Sequence, residues 1–245
     1  KRHGLNPDDL GDHHLALRSE LAAYDDMEQL TLEATRAHEA SQERVSELAS
    51  LLSRRRQAAA VTLSSHIERE LKGLGMDDAR VEIHVTDRAR PTEYGIDQVE
   101  IFVETNAGEG LHPLKRVASG GELSRLTLAI QGASSGVATI HTAIYDEVDT
   151  GVGGAIAEAI GLKLRSAASG GQAIVITHMP QIAALGVHHL AVQKEHASGR
   201  VHTRVVQVSG ESRSIEIARM LGGARASQRV SDHAAELLDR ARQAA

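Results

Sequence analysis

One stretch constrains this chain more than any other. No Pro lies between Asp8 and Thr86, and no Gly between Gly11 and Gly73. Apolar positions within it recur at spacings of four and three. Leu17, Leu21 and Tyr24 begin a seam that Leu30, Ala34, Ala37, Ser41, Val45, Leu48, Leu52, Arg55, Ala59 and Thr62 continue. The spacings from Leu30 run 4-3-4-4-3-4-3-4-3, a heptad seam with one stutter near Ser41 that relaxes the supercoil locally. The pattern predicts one helix over 12–74, roughly 90 Å long at about 1.5 Å per residue. Propensity alone does not hold so long a helix, which needs a second coiled-coil strand. The sequence offers no second such stretch, so the expected partner comes from missing sequence or another chain. A helix folded back as a small bundle is the alternative. Lys1 to Leu10, with Gly4 and Pro7, reads as a bend ahead of the helix.

After Gly73 and Gly75 the period changes from helical to alternating. Val81, Ile83 and Val85, then Val99, Ile101 and Val103, predict a β-hairpin of Arg80–Thr86 and Asp97–Thr105 around a turn at Arg88–Gly95. Asn106–Pro113 reads as a Gly-rich loop. Helical patterns follow at Leu123–Gln131, Ala155–Ala168, Ile215–Leu221 and Val230–Gln243. Thr139–Tyr145 and Gln172–Thr177 are short apolar strands, the second expected to be buried on both faces. Strand, helix, strand with a connection this long implies a parallel pair. Val187–Lys194 and Val201–Val208 predict a second hairpin around His196–Gly199.

Four short motifs carry the candidate chemistry. Ser119-Gly120-Gly121-Glu122 precedes a helix and reads first as a capping box: Ser119 caps the third helical amide, and Glu122 bonds back to the Ser119 amide. Its two glycines leave the helix N-terminal amides open, which also suits an anion. Asp146-Glu147 ends an apolar strand. One carboxylate there can hold Mg²⁺ and the next can orient or deprotonate a water; a solvated acidic turn is the plain alternative. Val148-Asp149-Thr150-Gly151 is ordinary turn chemistry taken alone. His178 ends the second apolar strand, at the same edge as Glu147, where an imidazole can donate to a phosphate.

In order and spacing the four together resemble the second half of an ABC-type ATPase head: Ser119–Glu122 its signature motif, Asp146-Glu147 its Walker B pair, Asp149 its D-loop, His178 its switch histidine. The longer stretches Val117–Arg125, Asp146–Gly151, Thr177–Gln181 and Glu216–Gly223 resemble the RecN family of bacterial SMC-like DNA-repair ATPases. The resemblance implies an α/β fold: the C-terminal lobe of an ABC/SMC-type head, a mixed sheet with flanking helices and parallel strands at the Walker B pair, plus one long coiled-coil helix. Residues 1–75 are then one strand of a coiled-coil arm, and residues 76–245 the lobe. It further implies ATP and Mg²⁺ as cofactors, with Asp146 helping hold the metal, Glu147 polarising the attacking water and His178 contacting the γ-phosphate. Ser119, Gly120, Gly121 and Glu122 bind nucleotide from the opposing head, and Asp149 sits at the head–head seam.

A phosphate cradle of the G-x-x-x-x-G-K-[ST] type is not in this sequence, because none of its five lysines follows a Gly. In the family that loop lies ahead of the coiled coil. The implied partners are therefore an N-terminal half carrying the P-loop, a second head in a homodimer, and DNA. Composition narrows the rest. A net charge of −6, with one Phe, three Tyr and no Trp, gives neither a basic field nor a stacking platform, so DNA contact is expected through local patches or assembly. The run Arg54-Arg55-Arg56 could touch DNA, but reads more simply as a solvated coiled-coil face. The absence of Cys excludes thiolate metal sites and disulfides and fits a reducing cytoplasm, and the resemblance implies a cytoplasmic, nucleoid-associated protein. No apolar stretch is long enough to cross a membrane. The rival expectations are another SMC-like or transporter-type ABC ATPase, which a co-purifying nuclease would favour for the former, a non-catalytic coiled-coil scaffold, and a metal hydrolase using pairs such as His13-His14 and His188-His189.

Overall fold

The computed structural model describes residues 10–134, 141–197, 200–223 and 227–243. The expected bend over 1–10 and the start of the strand at Thr139 therefore fall largely outside the described residues. The expected long helix is α1 (Leu10–Lys72), 63 residues without a break. The chain divides into two compact units: α1 up to Arg56 together with Asp87–Asp97, and Gln57–Thr86 together with the chain from Gln98 onward.

In the first unit, Asp97 is buried against Ser53 and Arg56 on successive turns of α1, with Arg56 Nη1 2.9 Å from Asp97 Oδ2. The Ser53 hydrogen bond, then that of Arg56, holds the Asp97 carboxyl below its ordinary range. Arg56 is thus a half-buried ion-pair partner, not part of a free basic run. The seam read from the sequence stays exposed: Leu30, Val45, Leu48 and Leu52 are all open to solvent. The buried positions of α1 are offset from it by one residue, at Ser53, Arg56, Ala60, Leu63 and Ile67. One residue is about 100° of helix rotation, so α1 carries two stripes, an apolar one left open and a mixed one, polar at Ser53 and Arg56, used by the chain itself.

In the second unit Ile67 and Leu71 near the end of α1, and Leu74 just past it, are fully buried with Leu126, Val148 and Ile160. The first hairpin is longer than expected: β1 (Arg80–Thr92) and β2 (Gly95–Glu104) extend through the segment read as a turn, leaving only Glu93 and Tyr94 between them. Pro91 is tolerated because β1 is an edge strand, and Gly95 adopts a φ of 102°. A short β3 (His112–Pro113) pairs antiparallel to β2. The loop between them donates the Gly108 and Gly110 amides to Glu104 Oε1 at 2.9 and 3.2 Å, which holds that carboxyl below its ordinary range.

Next come α2 (Gly120–Ala133), β4 (Thr142–Tyr145), α3 (Gly154–Ala167) and β5 (Gln172–Val175), with β4 and β5 parallel as expected. Burial of β5 on both faces does not hold. Ala143, Ala173 and Val175 pack on the core, while Ile144, Ile174 and Ile176 are 68%, 43% and 55% exposed. An alternating pattern of partners, not the apolar run itself, decides which faces are covered. A short α4 (Pro180–Leu185), not expected from the sequence, follows His178, and Arg213 caps its end by donating to the carbonyls of Ala183, Ala184 and Gly186. The second hairpin is β6 (His189–Ala197) with β7 (Arg200–Val208), and α5 (Gly210–Gly222) and α6 (Gln228–Gln243) form a second core with α4. The class is α/β with a long helix, its strands distributed over three small sheets among the described residues.

Candidate functional site

The parallel register pairs Thr142 with Gln172 and Tyr145 with Val175, so both strands finish at one edge. The chain leaves that edge as Asp146-Glu147 on one side and Thr177-His178 on the other. Asp146 and Glu147 are exposed. Asp149 is 3% exposed, and its Oδ2 accepts from the Thr177 hydroxyl, from the His178 amide at 3.0 Å and from His178 Nδ1 at 3.2 Å. The carboxylate can only accept, so the proton of that contact lies on Nδ1, and a ring that carries a proton on Nε2 as well can donate a second bond from its open tip. The His178 side chain itself is 75% exposed, held at its base and open at its tip. Asp149, read from the sequence as a residue of the head–head seam, makes these three contacts within its own chain.

At α2, Ser119 is the N-cap, with its Oγ 3.4 Å from the Glu122 amide. Only this half of the expected capping box forms among the described residues. The two glycines lie against Glu147, a contact the sequence did not reveal. A Cβ on Gly120 would lie 2.5 Å from Glu147 Oε2, and one on Gly121 would lie 2.9 Å from the Glu147 carbonyl oxygen and 3.0 Å from Thr150 Cβ. Glu147 has a φ of 57°, the one positive value among the described non-glycine residues. Such a backbone costs about 1–2 kcal/mol and persists only where neighbours hold it.

These contacts predict a contrast. Gly121→Ala meets backbone and a branched side chain and should destabilise the protein by about 1–3 kcal/mol. Gly120→Ala meets only the tip of a flexible side chain, which can swing aside, and should change thermal unfolding little. Equal shifts for the two variants in calorimetry would refute the packing described.

Sequence reasoning assigned no role to the two residues that follow the motif by one turn. Ser124 Oγ donates to the Asp146 carbonyl at 2.5 Å. Arg125, 9% exposed, donates through Nη1 to the Thr150 carbonyl at 2.9 Å and the Val148 carbonyl at 3.4 Å. Burial pulls its guanidinium below the ordinary value, and the Glu122 charge opposes this. The only signal available in the sequence was a cation at a helix position otherwise flanked by core residues. A pocket of about 270 Å³ opens beside Ser119, lined in part by Asn106, His112, Arg116 and Glu122. No group of three or more His, Asp or Glu side chains poised for a metal occurs among the described residues. No described helix is long and apolar enough to cross a membrane.

Several curated proteins are similar to this chain in sequence. The DNA repair protein RecN of Halalkalibacterium halodurans is 40% identical over 188 residues, 75% of this chain and 33% of that protein. RecN of Vibrio cholerae is 35% identical over 240 residues, 97% of this chain and 43% of that protein. RecN of Haemophilus influenzae is 32% identical over 243 residues, with 98% and 43% covered. The chain thus spans between 33% and 43% of the length of these relatives. Among solved structures, the Smc head domain with a coiled coil and joint from Pyrococcus yayanosii aligns with a TM-score of 0.60 at 20% identity, over 88% of this chain and 39% of that one. The Smc head domain with an extended coiled coil from Pyrococcus furiosus, bound to the C-terminal domain of ScpA, aligns with a TM-score of 0.54 at 17% identity, over 87% and 50%. At such identities the likeness is one of fold. No family model matches the chain.

Proposed function

We propose, from the premise that the chain belongs to the RecN family over the part of those proteins that it spans, that it is the P-loop-lacking lobe of an ATPase head. Residues 1–75 are the returning strand of a coiled-coil arm and residues 76–245 the lobe. The complete protein acts in DNA break repair in the cytoplasm, at the nucleoid, with ATP binding joining two heads and hydrolysis releasing them. The observation that carries this is the shared strand edge, where exposed Asp146 and Glu147 leave β4 and His178 leaves β5, with Asp149 bonded to His178.

The donor set fits ATP and Mg²⁺ on these terms. Asp146 is exposed and its carboxylate makes no hydrogen bond or ion pair among the described residues, so it can offer one ligand; the others come from the nucleotide, water and the P-loop half. When bound, ATP–Mg²⁺ supplies the phosphoryl group and neutralises charge as it transfers. Glu147 orients the attacking water and takes its proton. His178, steadied at Nδ1 by Asp149, contacts a γ-phosphate oxygen. Ser119, Gly120, Gly121 and Glu122 offer a capped helix N-terminus to the nucleotide of the opposing head. The uncovered face of Ile144, Ile174 and Ile176 supports association with the P-loop half.

The test is steady-state ATP hydrolysis by this chain alone and mixed with the P-loop-bearing polypeptide. Turnover is expected only in the mixture. Robust turnover by the chain alone would overturn the split-head reading. No turnover by two halves shown to associate would favour the scaffold instead.

A further inference from the structure

Three successive outward carbonyls of one loop, those of Asp146, Val148 and Thr150, point at a single turn of α2, where Ser124 and Arg125 receive them. None of these contacts belongs to the groups assigned above, and together they bracket Glu147. We propose that Arg125, assisted by Ser124, is a positioning residue for Glu147. It fixes the loop that keeps Glu147 left-handed, and it couples that loop to the helix whose N-terminus carries Ser119, Gly120 and Gly121. This inference rests on the ATPase reading above and deepens it.

The argument is physical. Guanidinium nitrogens are costly to bury, and Arg125 Nε has no hydrogen-bond partner among the described residues. An apolar side chain would fill the same space without that orphaned donor, so what Arg125 supplies is geometry. Both carbonyls are reached from one guanidinium nitrogen, Nη1, whose N–H bonds are fixed in the plane of the group; a lysine carries the charge on a freely rotating ammonium without that set direction. Between those carbonyls and Asp146, Glu147 holds a φ of 57° that an unrestrained residue abandons. The opposite side of the loop is closed by Gly121, whose missing Cβ leaves just enough room for the Glu147 carbonyl. The loop is therefore clamped between the first and second turns of α2. A ligand drawn to the α2 N-terminus moves Glu147 of the same lobe, even though that N-terminus is offered to the opposing head. Each head then senses, through its own Arg125, whether its partner's nucleotide is in place.

The test uses the complete protein with Arg125→Gln and Arg125→Lys. For Arg125→Gln, kcat for ATP hydrolysis should fall about 10- to 100-fold with KM for ATP within about twofold, and Arg125→Lys should fall between it and the wild type. Combined with Glu147→Gln, Arg125→Gln should cause no further loss, because both act through one carboxylate. A raised KM at unchanged kcat, or additive losses, would overturn the proposal. Hydrogen exchange supplies a readout independent of turnover. The Thr150 amide bonds to the Glu147 carbonyl at 3.0 Å and should exchange at least about tenfold faster in Arg125→Gln, with α3 unchanged. Unchanged exchange at Thr150 would also overturn it. If the wild type shows no turnover, the ATPase reading fails, and exchange still decides whether Arg125 holds the loop.

Discussion

Replacing Glu147 with Gln in the complete protein is expected to lower kcat for ATP hydrolysis by about 10²–10⁴-fold while leaving nucleotide affinity unchanged. The substitution keeps the shape of a side chain whose Oε2 lies within contact distance of Gly120, so the loop and α2 need not move. It removes only the ability to take a proton from water. Asp146, Ser119 and His178 still receive the nucleotide, so binding energy is retained while the step that discharges it is blocked. A second consequence is expected if ATP joins heads: the variant should accumulate as an ATP-bound dimer in sedimentation. Near-wild-type turnover would remove Glu147 from the reaction. A monomer at saturating ATP, with nucleotide bound, would leave hydrolysis intact as a reading and sink the joining of heads.

What was legible in the sequence followed from periodicity, and what was not depended on partners. The long helix, both hairpins and the parallel pair appear where heptad spacing, alternation and connection length put them. The second stripe of α1 escaped because Ser53 and Arg56 are polar; they are buried only because Asp97 of β2 meets them. The two-sided burial of β5 failed for the complementary reason, since an apolar run shows what tolerates burial and not what supplies cover. At the site, the strand ends marked Glu147 and His178 as neighbours, while resemblance assigned Ser119–Gly121 to the nucleotide of the opposing head. The glycines' contact with Glu147, the Arg125 clamp and the inward turn of Asp149 are tertiary facts. No spacing along the chain encodes them.

Asp149 shows most clearly how that difference can be measured. A residue working only across a head–head seam can be replaced without cost to an isolated head. The contacts seen here demand the opposite. Asp149→Ala removes the acceptor for the Thr177 hydroxyl and the His178 amide, both at a site where the carboxylate is 3% exposed. Leaving such donors unpaired should destabilise the protein by about 2–4 kcal/mol. That is roughly a 5–15 °C drop in the unfolding temperature of a domain this size. Asp149→Asn retains one acceptor oxygen and should lose less. The drop should appear without nucleotide and at concentrations where heads are apart. The same variant frees the His178 ring from its Nδ1 anchor, so kcat should fall even at temperatures where the protein stays folded, and Asp149→Asn should recover part of it. An Asp149→Ala protein that unfolds at the wild-type temperature, and loses only ATP-dependent dimerisation, would assign Asp149 to the seam alone. A protein that loses stability first would make it the residue through which the loop after Glu147 holds the histidine of the neighbouring strand.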